Sequence, residues 1–411
     1  MIRCFVTGDN HFGKQETTFM EARQAIIDAR MDSFKKMVQH ANEEECDLFF
    51  ITGDLFDKTT TKQIGGGDEQ SGERLIREVI DAVGRFHGTV VIIPGNHDYY
   101  DKSSTVWSYF INQSSGYSNI LILNRFEKVS LTVKGTNVVV YPAYCQSEWS
   151  EPNVNNLDWI KAETINTENT INIGLAHGSV EGTTKDAEGR YFPMGVEELE
   201  DIGVDVWFIG HCHVPFPNYL KEDSMTPNVK IYNAGTHQPT HRANDTDGYG
   251  FIVEIEKDGK KAEINARKWK SGTIAFRNIE VTTAAKSTDE LRQTLQAEIE
   301  KKCEGLDRDK TVIHVEFKGA VKAEEYEQRE DIYEELTEGF LFKHDPEWKC
   351  YEEITIESIR KEFPEKSFVA QFLESFLTDD KKDPEESQIE LSLVYQMIKE
   401  LRSGQKKRRS K

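Results

Sequence analysis

The first half of the chain alternates short apolar runs with helical stretches. Five of the runs have the length of about four to eight residues that is typical of buried strands, and turn-forming residues bound them. The five runs are Ile2–Thr7, Leu48–Thr52, Thr89–Pro94, Ile171–Ala176 and Asp205–Ile209. This alternation predicts an α/β fold with buried strands.

Two stretches between the runs, Phe19–Asn42 and Glu73–His87, show the periodicity of amphipathic helices. In the second stretch the apolar residues recur at helical spacing and share one face. These residues are Leu75, Ile76, Val79, Ile80, Val83 and Phe86. The segment Lys58–Gly72 is polar and rich in glycine, which predicts a surface loop.

Residues 118–144 and 229–270 lack helical periodicity and hold short β-branched and aromatic runs. Two of these runs, Phe251–Glu256 and Ala262–Trp269, flank the turn sequence Lys257-Asp258-Gly259-Lys260. That arrangement predicts a β-hairpin. We therefore expect two sheets packed together, with helices outside them.

Composition changes near residue 275, and a small α/β unit is predicted beyond that point. Its elements are a strand Asn278–Thr282, a helix Thr288–Lys302, a strand Thr311–Phe317, a helix Glu324–Thr337 and a mixed stretch to about residue 356. The boundaries give three domains: 1–273, 274–360 and 361–411.

The last of these domains is predicted to hold two short amphipathic helices and a basic tail. The first helix shows Phe368, Val369, Phe372, Leu373, Phe376 and Leu377, and the second shows Ile389, Leu393, Met397, Ile398 and Leu401. A charged loop, Asp379–Glu386, separates the helices, and the run Lys406–Lys411 is predicted to be a disordered tail. The apolar faces favour either packing on the chain itself or a partner site.

The 411 residues carry a formal net charge of −21, which argues against indiscriminate phosphate binding by the whole surface. Nucleic acid stays possible as a substrate, because a local basic groove or metal ions can supply positive potential. The six cysteines form no Cys-x-x-Cys pair, so a reduced cytoplasmic protein is favoured over a disulfide framework. We expect no signal peptide, and no apolar run approaches the roughly 20 residues of a membrane span.

Acidic, amide or imidazole side chains follow each of the five predicted strands. The motifs are Asp9-Asn10-His11, Gly53-Asp54-Leu55-Phe56-Asp57, Gly95-Asn96-His97-Asp98, His177-Gly178 and Gly210-His211-Cys212-His213. Open α/β sheets place their sites at the carboxyl ends of strands, so these side chains are expected to converge. Capping of strand-to-helix turns is the simpler alternative, since Asn and Asp often do that.

Imidazole nitrogens, carboxylates and one amide oxygen suit divalent ions such as Mn²⁺, Fe²⁺ or Zn²⁺, with Mg²⁺ also possible. A carboxylate that bridges two ions about 3.5–4 Å apart is usual in two-metal hydrolysis. Two such ions activate a water and neutralise charge on a phosphoryl group. The sequence therefore predicts two-metal phosphoester hydrolysis, with Mn²⁺ as the favoured ion.

The five motifs together resemble the signature of the calcineurin-like metallophosphoesterase superfamily over about residues 1–256. That resemblance implies a four-layer α/β/β/α sandwich of two packed mixed sheets, followed here by a small α/β cap domain and a C-terminal helix pair. A finer resemblance is to SbcD-like DNA-repair exonuclease subunits. It rests on Gly53-Asp54-Leu55-Phe56-Asp57, on Asn233-Ala234-Gly235-Thr236 and on the roughly 140-residue tail.

Carried over by position, the superfamily resemblance implies Asp9, His11, Asp54 and His213 as ligands of the first metal. It implies Asp54, Asn96, His177 and His211 as ligands of the second metal, with Asp54 bridging. His97 would be the catalytic imidazole that assists the leaving group, and Asp98 would orient His97 or a neighbouring ligand. The nuclease branch often has a histidine that contacts substrate phosphate at the position of Asp57. An ionised aspartate cannot donate in that way, so a substrate-binding role of Asp57 competes with a turn role or the support of a ligand.

The nuclease resemblance also implies partners. They are DNA, an SMC-type coiled-coil ATPase bound through the C-terminal helices, and a second copy in a homodimer; DNA recognition by the cap is possible. No membrane association is expected. Two further histidines, His237 and His241, lie beyond the fifth motif and could line the cleft. For both, an ordinary place in the core or on the surface is favoured. Cys212 is expected to point into the core.

Three functions of different classes remain. The first is a metal-dependent DNA phosphodiesterase linked to an ATPase. The second is a metallophosphoesterase acting on a small-molecule or protein phosphoester, with the tail as a lid. The third is a scaffold that kept the fold without catalysis. The complete ligand set counts against the scaffold, and the long tail favours the nuclease, whereas the acidic balance favours the second function slightly.

Overall fold

The computed structural model describes the chain apart from residues 17, 20, 183–185, 187, 240–246, 379–382 and 410–411, and apart from the side chains of residues 403–409. Two compact units are present, Met1–Phe276 and Arg277–Lys411. Among the helices in the described part of the chain, none is long and apolar enough to cross a membrane.

The first unit holds six helices and the strands of two sheets among its described residues. The strands are β1 (Ile2–Thr7), β2 (Leu48–Ile51), β3 (Thr89–Ile92), β4 (Ile120–Ile122), β5 (Val129–Val133), β6 (Thr136–Ala143), β7 (Thr170–His177), β8 (Val206–Gly210), β9 (Thr226–Pro227), β10 (Ile231–Tyr232), β11 (Tyr249–Asp258) and β12 (Lys261–Lys270). The helices are α1 (Arg23–Glu43), α2 (Thr61–Ile64), α3 (Glu69–Val83), α4 (Thr105–Ser114), α5 (Asp158–Lys161) and α6 (Val196–Asp201).

The two sheets are both mixed. The larger has the order β4-β3-β2-β1-β11-β12-β9, in which β1 to β4 run parallel and β11 pairs antiparallel with β1. The smaller has the order β10-β8-β7-β6-β5, in which only β5 and β6 pair antiparallel. Parallel neighbours bring the carboxyl ends of β1, β2 and β3 to one edge, and those of β7 and β8 to another.

Alternate residues of each central strand face two different cores, as the two-residue repeat of a strand requires. In β1, Phe5 packs under the helices while Cys4 and Val6 pack between the sheets. In β8, Phe208 packs between the sheets and Trp207 packs under the helices of the other side. The predicted fold class, two packed mixed sheets with helices outside, is confirmed.

The second unit is a small α/β assembly with a helical end. Its elements are β13 (Ala275–Ala284, which begins in the first unit), α7 (Glu290–Lys302), β14 (Thr311–Val321), α8 (Ala323–Leu336), β15 (Phe342–Lys343), β16 (Glu347–Glu352), α9 (Ile356–Glu362), α10 (Phe368–Thr378) and α11 (Pro384–Arg409). Strand β14 is central: it neighbours β13 and pairs in parallel with β15 and β16. The helical C-terminal elements expected from the sequence are therefore present.

Each of the last two helices has a buried face and an exposed face. Leu373 of α10 and Leu391 and Tyr395 of α11 belong to one apolar cluster together with Ile359 of α9. The Gln388 amide also holds α11 in place, because it donates to the carbonyl of Ile354 at 2.9 Å and accepts from the amide of the same residue at 3.2 Å. These helices are thus an integral part of the second unit's core.

The opposite face of the two helices is an exposed apolar surface. Phe368 is 81% exposed, Leu401 67%, and Leu393 and Met397 63% each. Phe372 and Ile389 are exposed at about two fifths on the same helices. We call these six residues the helix-pair face. Contiguous exposed apolar surface of this kind marks interaction sites in soluble proteins.

Several predicted boundaries were wrong for local reasons. Helix α1 begins at Arg23, four residues later than expected, and Phe19 packs its ring against Phe276 at 5.4 Å instead. The expected loop Lys58–Gly72 contains α2 and the first turn of α3, because the Asp68 carboxylate accepts from the Ser71 amide and caps the helix. The hairpin turn shrinks to Gly259-Lys260, because Asp258 and Lys261 are already paired.

The second C-terminal helix is not short. Helix α11 spans 26 residues, because the sequence beyond its apolar part is rich in Gln, Lys and Arg, which favour helix. The expected disordered tail is therefore helical in its backbone as far as Arg409. Ser410 and Lys411 lie outside the described residues, as does the first half of the predicted loop, residues 379–382, whereas its last three residues belong to α11.

Candidate metal centre

The side chains singled out in the five motifs converge at the strand ends. Asp9 and His11 follow β1, Asp54 follows β2 and Asn96 follows β3. His177 is the last residue of β7, and His211 and His213 follow β8. Three compact groups result among the described residues: Asp9, His11 and His213; Asp54, His177 and His211; and His11, Asp57 and His97.

Four residues of these turns adopt backbone conformations that L-residues rarely use. The φ angles are +48° at Asp9, +48° at His11, +50° at Asp54 and +103° at His211. Hydrogen bonds between the turns hold the strained backbone: the Asp9 amide donates to the Gly53 carbonyl at 3.0 Å, and the His11 amide donates to the Asp54 carbonyl at 2.9 Å. Strain that is held in this way is typical of functional sites.

The first group brings the Nε2 atoms of two imidazoles together. Nε2 of His11 and Nε2 of His213 are 3.0 Å apart. Oδ1 of Asp9 lies 3.9 Å from Nε2 of His213. Both oxygens of Asp9 also accept from the His211 amide, at 2.9 and 3.1 Å, so this carboxylate fixes the turn that carries both histidines of the last motif.

The second group surrounds the amide oxygen of Asn96. Oδ1 of Asn96 is 3.0 Å from Nε2 of His177 and 3.0 Å from Nδ1 of His211. Oδ2 of Asp54 is 3.4 Å from Nε2 of His177. Four donors from four separate motifs thus face one another.

One oxygen of Asp54 faces both groups. Oδ2 is 3.4 Å from Nε2 of His177 in the second group and 3.7 Å from Nε2 of His11 in the first. The other oxygen, Oδ1, accepts from the His97 amide at 2.8 Å, which fixes the orientation of the carboxylate. The geometry is that of a carboxylate positioned between two ion sites.

These separations fit metal ligands. Donors about 2.1 Å from one ion lie roughly 3.0 Å apart at right angles and about 3.4 Å apart in a tetrahedron. The observed distances of 3.0 to 3.9 Å span that range, with the longest somewhat expanded. The donors are nitrogens and oxygens without a thiolate, which suits Mn²⁺, Fe²⁺ or Zn²⁺.

Two imidazoles have their second nitrogen occupied, so the first is free for an ion. Nδ1 of His177 is 2.8 Å from the carbonyl oxygen of Thr52, which can only accept a hydrogen bond. Nδ1 of His11 is 3.1 Å from Oδ1 of Asp57. These acceptors would keep the proton of each ring on Nδ1 once Nε2 has lost its own proton, which leaves the Nε2 lone pair for an ion, as is usual for metal-bound histidine.

Burial sets the protonation of the site. Burial lowers the pKa of His211 to about 3 and holds the pKa of His213 well below its ordinary value, so both rings are neutral. Burial raises the pKa of Asp9 to about 8. Burial alone would lower the pKa of His177, but the neighbouring Asp54 carboxylate outweighs it and raises the pKa to about 9. Metal binding near neutral pH is therefore coupled to proton release from Asp9 and His177.

Glycine is required where two turns touch. A Cβ on Gly95 would lie 2.2 Å from Oδ1 of Asp54 and 2.3 Å from its backbone nitrogen. A Cβ on Gly53, whose φ is +100°, would lie 2.3 Å from Nδ1 of His177. The glycines of these motifs thus permit the ligand turns to approach each other.

His97 lies beside the two groups without entering their contacts. Its ring meets the ring of His11 edge-on, with centroids 4.7 Å apart, and its side chain is about one third exposed. Nδ1 of His97 is 3.9 Å from Oδ1 of Asp57. An imidazole in this position can reach a bound substrate from the solvent side.

Asp98 and Asp57 hold parts of the site. Asp98 is fully buried, and its two oxygens accept from the backbone amides of Gly95 at 2.7 Å and Phe56 at 3.0 Å. It therefore ties together the turns after β2 and β3, which carry Asp54 and Asn96, so its contacts correspond to the second of the two predicted roles, the orientation of a neighbouring ligand. Asp57, for which substrate contact and support of a ligand were both open, accepts from the His11 ring and lies between His11 and His97.

Supporting residues were only partly found in the sequence. His237 is fully buried, and its ring lies 2.8 Å from the Arg30 carbonyl and 3.0 Å from Nδ2 of Asn10, so the expected core role fits. Cys212 is buried as expected. His241 lies outside the described residues. Sequence patterns did not signal Thr52, whose contribution is a backbone carbonyl, or Tyr191, whose ring lies 4.7 Å from that of His211.

Comparison with known proteins gives one family match and several similar structures. A family model described as calcineurin-like phosphoesterase matches residues 2–215, just over half of the chain. Among solved structures, the chain is similar to a dimetal phosphatase from Danio rerio at 12% identity, over 64% of this chain and 98% of that one, with a TM-score of 0.38. It is also similar to a protein from Thermus thermophilus at 10% identity, over 63% of this chain and 99% of that one, with a TM-score of 0.33.

Proposed function

The chain belongs to the calcineurin-like phosphoesterase family, and on that premise we propose that it is a two-metal phosphodiesterase that hydrolyses DNA. The observation that carries the proposal is the position of Asp54. Its Oδ2 faces one imidazole of each ligand group, at 3.4 and 3.7 Å, as a bridging ligand between two ions must. Asp9, His11, Asp54 and His213 would hold one ion, and Asp54, Asn96, His177 and His211 would hold the other.

Bound divalent ions supply Lewis acidity, which lowers the pKa of water and withdraws charge from phosphoryl oxygens. The protein supplies orientation and proton handling. The Thr52 carbonyl and the Asp57 carboxylate keep the lone pairs of His177 and His11 directed inward. The rigid turns fix the donors before substrate arrives, which limits reorganisation during the reaction.

His97 is the residue we propose to act on the leaving group. It contributes its backbone amide to Asp54 but keeps its ring outside the two groups of ligands. Its ring is partly exposed, so a substrate oxygen can reach it. Protonation of the leaving oxygen by a positioned imidazole contributes about 10²–10⁴-fold to such reactions. Asp98 acts indirectly, by holding the turn from which His97 projects.

We propose Mn²⁺ as the working ion. The described donors are four histidines, two carboxylates and one amide oxygen, a mixed nitrogen and oxygen set without a thiolate. Such a mixed set suits Mn²⁺ better than it suits Mg²⁺, which prefers sites made of oxygen ligands. Metal analysis of protein purified without added metal, followed by reconstitution with Mn²⁺, Fe²⁺, Zn²⁺ or Mg²⁺, tests this choice through the activity each ion restores.

DNA is proposed as the substrate on the basis of the second unit. A phosphatase for small molecules has little use for an appended α/β unit of more than 100 residues with an exposed helix-pair face. We further propose that this face binds the coiled coil of an SMC-type ATPase, as a helix in an apolar groove. A homodimer and a cytoplasmic location complete the proposal; six scattered cysteines without a Cys-x-x-Cys pair support a reducing compartment.

The substrate class is tested by direct comparison. The Mn²⁺-loaded protein is given labelled single- and double-stranded DNA, bis-p-nitrophenyl phosphate and p-nitrophenyl phosphate. We expect cleavage of DNA and of the diester, with the monoester as the poorest substrate. A preference for the monoester would favour the alternative, a phosphatase acting on a small-molecule or protein phosphoester, which the acidic charge of the chain also fits. The metal-free protein is the control.

The partner is tested on the exposed face alone. Leu393→Asp places a charge at the centre of the helix-pair face without touching the buried Leu391 and Tyr395. Burying one leucine contributes about 1.5–3 kcal/mol, so affinity for the coiled coil should fall about 10- to 100-fold. Glu386→Gln, on the exposed first turn of α11, is the matched control. Equal binding by Leu393→Asp and wild type, measured by biolayer interferometry, would exclude this face.

A further inference from the structure

Two aromatic rings extend outward from the metal centre. The ring of Tyr191 lies over that of His211, with centroids 4.7 Å apart and an interplanar angle of 35°. The ring of Trp149 lies over that of Tyr191, at 5.1 Å and 47°. Trp149 is 49% exposed, so one face of this column meets solvent. The column therefore leads from a ligand residue to the surface in two ring-to-ring steps.

Backbone contacts hold the two loops that carry these rings. The Ser150 amide donates to the Arg190 carbonyl at 2.8 Å, and the Asn153 amide donates to the Gly189 carbonyl at 2.8 Å. The Ser150 hydroxyl adds a bond to the Arg190 carbonyl at 3.0 Å. The backbones that carry the two rings are thus joined before any ligand binds, and such preorganisation reduces the entropy that binding costs.

A further bond joins this platform to the metal centre. The Asp186 carboxylate accepts from the Tyr191 amide at 2.9 Å and from the Ser179 hydroxyl at 2.9 Å. Ser179 follows the His177-Gly178 motif directly, and its amide donates to the Tyr191 carbonyl at 2.7 Å. The position of the aromatic rings relative to the ligands is therefore set by hydrogen bonds on both sides of Tyr191.

Carboxylates outnumber cations around the platform, and one of them, Glu188, is paired with Arg190 at 3.4 Å. Burial, together with the carboxylates of Asp186, Glu148 and Glu188, raises the pKa of Tyr191. A negative surrounding repels a polyanionic backbone, whereas an uncharged aromatic ring can still stack. Stacking on aromatic side chains is how proteins bind single-stranded bases without reading their sequence.

We propose that Trp149 and Tyr191 form a stacking platform for the base of the nucleotide whose phosphate lies at the metal centre. The proposal rests on the proposed function and specifies it: the substrate would be a nucleotide with an unpaired base next to the reacting phosphate. Because the acidic flank disfavours continued backbone, the base would belong to a strand end. Stacking would act on substrate binding and not on the chemical step.

Isothermal titration calorimetry of the Mn²⁺-loaded protein tests this platform without hydrolysis. Deoxyadenosine 5′-monophosphate and 2-deoxyribose 5-phosphate share the phosphate and differ by the base. We expect the nucleotide to bind more tightly by about 5- to 150-fold, the range that stacking on one aromatic residue gives. In Trp149→Ala the ratio should fall towards one, and Trp149→Phe should restore much of it. Tyr219→Ala removes another exposed aromatic ring of the first unit and serves as the control.

Three other outcomes would contradict the proposed stacking platform. A ratio near one in the wild type would show that no base is bound. An unchanged ratio in Trp149→Ala would place the base elsewhere. Loss of metal from Trp149→Ala, measured by elemental analysis, would make the column a support for His211 instead. Failure of the wild type to cut DNA would refute the proposed substrate, and is measured separately from these affinities.

Discussion

Replacement of Asp98 distinguishes a structural tie from a catalytic group. In the fold its carboxylate is fully buried and accepts from the amides of Gly95 and Phe56, at 2.7 and 3.0 Å. These amides belong to the turns that carry Asp54 and His97. We therefore expect Asp98→Ala to act first on stability and on metal affinity, and only through them on turnover.

The size of the effect follows from the two amides that lose their acceptor. A buried donor left without a partner costs about 1–3 kcal/mol. Burial and the nearby negative charge of Asp54 raise the pKa of Asp98 to about 7, so near neutral pH the cost of burying a full charge offsets part of the gain from its bonds. For the two amides together the cost sums to about 2–6 kcal/mol, and we expect the free energy of unfolding to fall by about 3 kcal/mol, in the lower part of that range. For a unit of this size that corresponds to a Tm about 6–12 °C lower.

Asp98→Asn is the matched variant, since it keeps the volume and one acceptor oxygen but turns an amino group towards the other amide. The Tm of Asp98→Asn should lie between that of the wild type and that of Asp98→Ala. Scanning calorimetry of both variants, alongside Mn²⁺ titration and steady-state hydrolysis of bis-p-nitrophenyl phosphate, gives the three quantities. At saturating Mn²⁺ we expect kcat within about tenfold of wild type. An unchanged Tm with a kcat lowered a hundredfold or more would refute the tie and restore a direct role in the reaction.

Three further substitutions test other parts of the site. Asp54→Ala should abolish hydrolysis and remove most bound metal in elemental analysis, because both ions lose a ligand; full activity at saturating Mn²⁺ would contradict the bridging role. His97→Ala should retain two metals while kcat falls about 10²-fold or more, and loss of metal would show that His97 is a ligand. Burial lowers the pKa of His237 to about 3 in the fold, against 6.5 when unfolded, so the unfolded chain binds one proton more between these values. The free energy of unfolding should therefore fall by about 1.4 kcal/mol per unit as the pH drops from about 6.5 to about 3. Chemical denaturation at several pH values, with a chelator present, measures this slope. In His237→Gln the slope should be smaller by about 1.4 kcal/mol per pH unit, the contribution of one proton. The same slope in wild type and variant would be inconsistent with a neutral His237.

The ligand set could be predicted because each ligand follows a strand whose apolar run is easy to recognise. Strand β1 has the bounds expected from its sequence, and the other four central strands differ from the predictions by one or two residues at an end. Once the strands are known, parallel pairing brings their ends together. The order of the strands in the sheets did not have to be known for this prediction. Asp9 and His211, for example, are in contact although 202 residues separate them.

The supporting contacts could not be predicted, because they use groups that carry no sequence signal. Thr52 orients His177 through its carbonyl oxygen, which every residue type possesses. For Asp98 the sequence left open whether it orients His97 or a neighbouring ligand, because the two amides that it accepts from depend on how two turns lie relative to each other. Trp149 and Tyr191 lie in irregular loops, where no periodicity indicates which way a side chain points.

Asp54 and Asp9 each serve two tasks, because each faces ligand imidazoles and also accepts from a backbone amide. Asp54 directs Oδ2 towards both ligand groups while Oδ1 accepts from the His97 amide. Asp9 faces His213 while it holds the His211 amide. Each contact to a backbone amide fixes the direction of a ligand carboxylate. Each contact also joins two turns, so that a shift of one turn moves the other. A change in one turn is therefore transmitted to ligands of both ions, which is why we expect substitutions of the tying residues to weaken the two metals together rather than one at a time.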